Sequence, residues 1–269
     1  MKHKTMKLFQ GVYWVRIFKF FVIILILPSC ASKKTHEAGT EPISHELWNE
    51  LLIEHVDTSG WVNYQGLKED PKILLDYLAL LSSNRPNEVH WSGKERLAYW
   101  INLYNAFTLK LIIDHYPLES IKEIGSRIQI PFINSPWDIE GIDFGDEKIS
   151  LNYVEHQILR KFFNEPRIHF AINCASVSCP ALRNEAYVAF KIDEQLTDQA
   201  HRFLNDPSKN VITPERLRLS KIFQWFSEDF NDPQTLYENL SLWSGIPIND
   251  YATSQFIDYD WSLNEQPRP

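Results

Sequence analysis

The feature that most constrains this chain is "SGKERLAYWINLYNAFTLKLIIDHYP", residues 92 to 117. Ser92 and Glu95 stand in capping-box spacing, which predicts a helix start, and Pro117 predicts its end. Between them apolar residues fall on every side of the helical wheel. A helix apolar all round has no face to offer solvent, so it must lie inside the fold with the other elements around it. Asn102 and Asn105 interrupt the apolar surface, three apart and so on one face. Buried amides need partners. Either they bond loop backbone and hold the domain together, or they line a pocket.

Helical spacing recurs in "SHELWNELLIEHV", opening at Ser44, and in "PKILLDYLALLSS", with Pro71 near its first turn. It recurs in "SKIFQWFSEDF", capped by Ser220, in the second half of "VAFKIDEQLTDQAHRFLND" and in "TLYENLSLWS". "GWVNYQGL" reads as a short strand and turn, "RLRLS" as a short strand, and "SRIQIPFINSPWDIEGIDFGDEKIS" as extended chain turning at its prolines, Gly141 and Gly145. Ser150 caps "LNYVEHQILRKFF", where Leu151, Val154, Ile158, Leu159 and Phe162 share one arc. Glu155 falls inside that arc; His156 and Arg160 fall outside it. A carboxylate on an apolar stripe must be paired, hydrogen-bonded or protonated. "RIHFAIN" alternates as a strand, with Ile168, Phe170 and Ile172 on one face and His169, Ala171 and Asn173 on the other. Helices and short strands mix without regular alternation, so we expect an α+β fold: a helix-rich single domain with a small sheet.

The N-terminus does not belong to that domain. Lys2, Lys4, Lys7, Arg16 and Lys19 precede the apolar run "FFVIILIL", which ends at Leu27-Pro28-Ser29-Cys30. A basic region, a short apolar run and a small residue before a cleavage point make an export signal. The run is shorter than the roughly 20 residues that span a bilayer. The last four residues resemble a bacterial lipobox, which implies cleavage before Cys30 and diacylation of its thiol. We therefore read 1–29 as a lipoprotein signal peptide, 30–42 as a polar tether, 43–264 as the domain and 265–269 as a tail. The expected place is the cell envelope, lipid-anchored on the periplasmic or outer side, with the outer membrane favoured because no acidic residue follows Cys30 directly. Losing the signal makes the chain more acidic than its full-length net charge of −8, which argues against nucleic-acid binding. The membrane, reached through the lipid, is the one partner expected.

Four segments in order, "LAYWINLYNAFTLKLI", "SLNYVEHQILR", "EPRIHFAINCASVSCPAL" and "RLSKIFQWFSEDF", resemble the domain-of-unknown-function family 547. The resemblance runs from about Gly60 to Phe230. It groups Trp100, Asn102, Tyr104, Asn105, Glu155, His156, Arg160, Arg167, His169, Asn173, Cys174, Ser176, Ser178, Cys179 and Pro180 without assigning them roles.

The residues themselves leave several chemistries open. Cys174 as nucleophile, His169 as base and Glu155 or Asn173 as orienting group would suit an amide or ester hydrolase or acyltransferase. Against a papain-like site, a turn and Pro180 follow the cysteine rather than a long helix. Cys174 and Cys179 are the only cysteines besides Cys30, and in an oxidising envelope such a pair usually forms a disulfide. That would silence the nucleophile and leave a non-catalytic ligand- or protein-binding module. His156, His169, Cys174 and Cys179 could in principle offer zinc ligands, but Cys-x4-Cys is not the usual spacing, and neither metal nor cofactor is expected. Arg160 and Arg167 are candidates to pair with Glu155, and Ser176 and Ser178 to complete turn hydrogen bonds.

Overall fold

Helix α1 (Glu46–His55), α2 (Tyr64–Glu69) and α3 (Lys72–Ser83) pack together beside the long α4 (Gly93–His115) in a computed structural model, which describes residues 40–125, 134–230 and 233–267. The Ser92–Glu95 capping box forms at the start of α4. Ser92 Oγ accepts from Glu95 N–H, and the Glu95 carboxylate accepts from Ser92 N–H. From Leu97 to Leu109 every residue of α4 is buried. Each fully buried large apolar side chain contributes roughly 1.5–3 kcal/mol, so the helix is the centre of the larger hydrophobic cluster. Trp48 of α1 stacks on Tyr77 of α3 at 5.6 Å, and Tyr99 of α4 donates to Leu81 O. "GWVNYQGL" is less extended than its pattern suggests. Val62 makes isolated bridges to Val56 and Glu265, and Asn63 then caps α2 by accepting from Gly66 N–H.

After α4 comes a hairpin, β1 (Ile142–Phe144) antiparallel to β2 (Glu147–Ile149). Residues 126–133 of the stretch read as extended lie outside the described residues. The "LNYVEHQILRKFF" helix forms, but its middle, Tyr153–Leu159, is a π-helix that runs into one α turn, α5 (Arg160–Phe162). π-type turns take more residues than α turns, so the stripe rotates. Leu151, Val154, Ile158 and Leu159 are buried as their arc predicts, and Glu155 with them. Phe162 is corrected to the surface, 62% exposed.

"RIHFAIN" is also corrected: it is not a strand but a four-residue helix, α6 (Ile168–Ala171). Ile168 N–H bonds Glu165 O and Ile172 N–H bonds Ile168 O. The alternation misleads because no face of the segment meets solvent. All residues from Ile168 to Asn173 are buried. Ile168, Ala171 and Ile172 join the cluster around α4, while Phe170 enters a second cluster with Phe203, Phe223, Phe230 and Trp243. That cluster lies among α7 (Ile192–Leu204), α8 (Ile222–Trp225), α9 (Pro233–Ser244) and a three-stranded sheet. In the sheet β3 (Val211–Ile212) is antiparallel to β4 (Arg216–Leu219), and β5 (Thr253–Phe256) is parallel to β4. The architecture is α+β, dominated by helices with two small sheets. Among the described residues no helix is long and apolar enough to cross a membrane. The signal, Cys30 and most of the tether lie outside the described residues.

Candidate functional site

The two asparagines of α4 determine where the cysteine segment lies. Asn102 donates to Tyr187 O and accepts from Tyr187 N–H. Asn105 donates to Ala171 O at 2.9 Å and accepts from Asn173 N–H at 2.8 Å. Asn105 thus clamps the end of α6 to the central helix. Asn173 closes the next loop: its amide donates to Pro180 O, and its side-chain oxygen accepts from Ala175 N–H, both at 2.8 Å. Ala175 sits at φ 58°, a left-handed conformation that a residue with a Cβ adopts at a cost, and such strain gathers at functional loops.

This loop carries two free thiols. The Cys174 and Cys179 sulfurs are 2.7 Å apart, beyond the roughly 2.05 Å of a disulfide bond. Cys174 N–H also donates to Cys179 Sγ at 2.8 Å. Ser176 Oγ and Tyr259 OH each lie 3.2 Å from Cys174 Sγ and 3.2 Å from one another. Burial opposes the Cys174 thiolate, but hydrogen bonds from Cys179, Ser176 and Tyr259 outweigh it and bring the thiol down to about 7. Cys179 moves the other way, pushed up by burial and then by its neighbour. Cys174 is partly exposed and Cys179 is buried. A cleft of about 170 Å³ is lined by Trp61, Asn173, Ser176, Cys179 and Pro180 among others.

Tyr259 arrives from the far end of the chain. Residues 260–264 run along the cysteine loop, with Val177 N–H on Ser262 O and Ser178 N–H on Asp260 O. Ser178 Oγ accepts from Asp260 N–H at 2.8 Å. Asn264 anchors the end of this segment, accepting from Tyr64 OH at 2.7 Å. Nothing in the spacing around Tyr259 marks it, because its role exists only once this segment lies against the loop.

His169 belongs to a different hydrogen-bond set. Its Nε2 meets Asp229 Oδ2 at 2.6 Å, and its Nδ1 is 4.0 Å from Glu155 Oε1. Phe226 stacks on the ring at 4.1 Å. Neither ring nitrogen is hydrogen-bonded to Cys174. Burial lowers the His169 pKa and Asp229 pulls it back. Burial also works against the Asp229 carboxylate, yet His169 and Arg160 hold it well below the usual range. The expected arginine pairing is corrected. Arg160 donates to Asp229 and contacts His156, while Arg167 pairs with Glu165 and donates to Thr197. Both arginines find carboxylates nearer the surface than Glu155, which avoids desolvating a guanidinium in the core. Glu155 accepts from Tyr104 OH at 3.3 Å, and burial pushes its carboxyl up to about 7 against the pull of Arg160 and Tyr104. Among the described residues no group of three or more His, Cys, Asp and Glu side chains is arranged to hold a metal ion.

Residues 89–204, which carry α4, the π-helix, α6 and the cysteine loop, match the model of a protein family of unknown function, DUF547. The chain carries a DUF547 segment over these residues. No curated protein and no solved structure matches it. The DUF547 segment ends inside the last turn of α7, so Asp229 and Tyr259, which bond His169 and Cys174, come from outside the matched residues.

Proposed function

We propose that this DUF547 protein is a lipid-anchored cell-envelope enzyme that transfers an acyl group from an amide or ester through Cys174. The observation that carries the reading is the setting of the Cys174 sulfur, where a second thiol and two hydroxyls converge on a partly exposed cysteine. A thiol so acidified is about half thiolate at neutral pH without a histidine beside it. The sulfur attacks the carbonyl carbon, a C–S bond forms, and the C–N or C–O bond breaks. The leaving group takes the proton of the Tyr259 hydroxyl, which contacts the sulfur, and the phenolate regains a proton from the acceptor in the next step. Water or a second nucleophile then accepts the acyl group. His169, Glu155 and Asp229 are positioning residues in this scheme: His169 ties α6 to Asp229, and Glu155 ties the π-helix to Tyr104 of α4. The envelope location rests on the Leu27–Cys30 lipobox and the tether after it.

The test is intact-mass spectrometry of the full chain with a series of activated esters and aminoacyl amides. An acyl adduct on Cys174, absent in Cys174→Ser, is expected. If no reporter leaves an adduct on a protein whose Cys174 still alkylates, the acyl-transfer reading fails. Fatty-acid labelling that survives Cys30→Ala would remove the anchor.

A further inference from the structure

We propose a second activity for the same loop: thiol–disulfide exchange, in which Cys174 attacks a disulfide and Cys179 resolves the mixed disulfide. The proposal shares the Cys174 thiolate with the acyl-transfer reading but does not depend on acyl chemistry.

The geometry has the asymmetry that exchange needs. The attacking sulfur must be partly exposed; the resolving one must be protected from outside reagents yet in line with the first. Cys174 is partly exposed, Cys179 is buried, and their sulfurs are 2.7 Å apart. The bond from Cys174 N–H to Cys179 Sγ holds the resolving sulfur against the attacking residue. The loop is already closed without a covalent link, by Asn173 to Pro180 O and by Cys179 N–H to Ser176 O. A disulfide would therefore order little additional chain. A bridge across so short a loop also removes little entropy from the unfolded state. The first feature favours closure of the Cys174–Cys179 bond, and the second means that such a bridge does little to hold the fold together.

The steps balance. The Cys174 thiolate attacks one sulfur of a disulfide RSSR, forming Cys174–SR and releasing RS⁻. Cys179 loses its proton and attacks Cys174 Sγ, forming the Cys174–Cys179 bond and releasing the second RS⁻. The external disulfide is reduced to two thiols, and the cysteine pair is oxidised by two electrons.

The experiment uses the full chain with Cys30→Ala, reduced, and a low-molecular-weight aromatic disulfide whose released thiol is coloured. Two equivalents of thiol should appear, leaving a protein lighter by two hydrogens. Cys179→Ser should release one equivalent and keep a stable adduct on Cys174, since a serine hydroxyl can still accept the Cys174 N–H bond. Cys174→Ser should slow the reaction by about tenfold or more, because only the buried thiol remains. The proposal is overturned if the wild-type pair stops at the mixed disulfide, if no thiol is released while Cys174 still alkylates, or if Cys174→Ser reacts at the wild-type rate. Failure of acyl transfer would appear instead as the absence of ester-derived adducts with thiol release intact.

Discussion

At the scale of single residues, two side chains with altered acidity make opposite predictions. Cys174 alkylation should rise through about pH 7 and level off above it, since the thiolate is the reacting form. Tyr259→Phe removes one hydroxyl that stabilises the thiolate, so the midpoint of the rate–pH curve should move up. An unchanged midpoint would show that the phenol plays no part. Glu155 acts on stability instead. Its carboxyl is raised from 4.5 to about 7, so the folded state holds a proton that the unfolded state has already released. Stability must then fall as pH rises between about 4.5 and 7 and stay level above that, by at most about 3 kcal/mol. Glu155→Gln should flatten denaturation midpoints across that window and raise stability at pH 8, with Tyr104, His169, Arg160 and Asp229 still in place around it. The carboxylate on the apolar stripe was readable in the sequence; its neighbours were not.

At the scale of elements, α4 is a scaffold as much as a core. Asn105 satisfies the last carbonyl of α6 and the first amide of the cysteine loop. Asn105→Ala leaves both buried groups without a partner, and the expected loss is about 2–4 kcal/mol by chemical denaturation. The same variant should also blunt Cys174 reactivity, because the loop loses its tie to the helix. A loss within experimental error would mean that water replaces the amide. The π-helix and α6 show where local pattern misleads. Periodicity reports which side of an element meets water. Leu151 to Leu159 still face the core through a π-helix, and only the register at Phe162 exposes the change. In α6 every side is covered, so alternation carries no information about the backbone and a strand pattern folds as a helix.

At the scale of the whole molecule, the site is completed by chain far from its centre. Tyr259 lies 85 residues after Cys174, and Asp229 lies 60 after His169. Ending the chain after Ile257 removes Tyr259 together with Asn264, whose oxygen accepts from Tyr64 OH. Such a truncation should raise the Cys174 midpoint and lower the thermal unfolding temperature. Tyr259→Phe should give only the first effect and Asn264→Ala mainly the second, a separation that thiol titration and calorimetry can each read. Spacing in the sequence by itself determined the long buried helix, its capped start, most of the other helices, the α+β class and the buried position of Glu155. The proposed export signal and the proposed lipidation of Cys30 rest on sequence alone. Only the tertiary structure decided that Cys174 faces Cys179, Ser176 and Tyr259 while His169 faces Asp229. Helical periodicity and caps are local and act within a few residues, so they can be read along the chain. Hydrogen-bond partners for a buried thiol or imidazole are chosen by which segments pack together, and no local pattern encodes that choice.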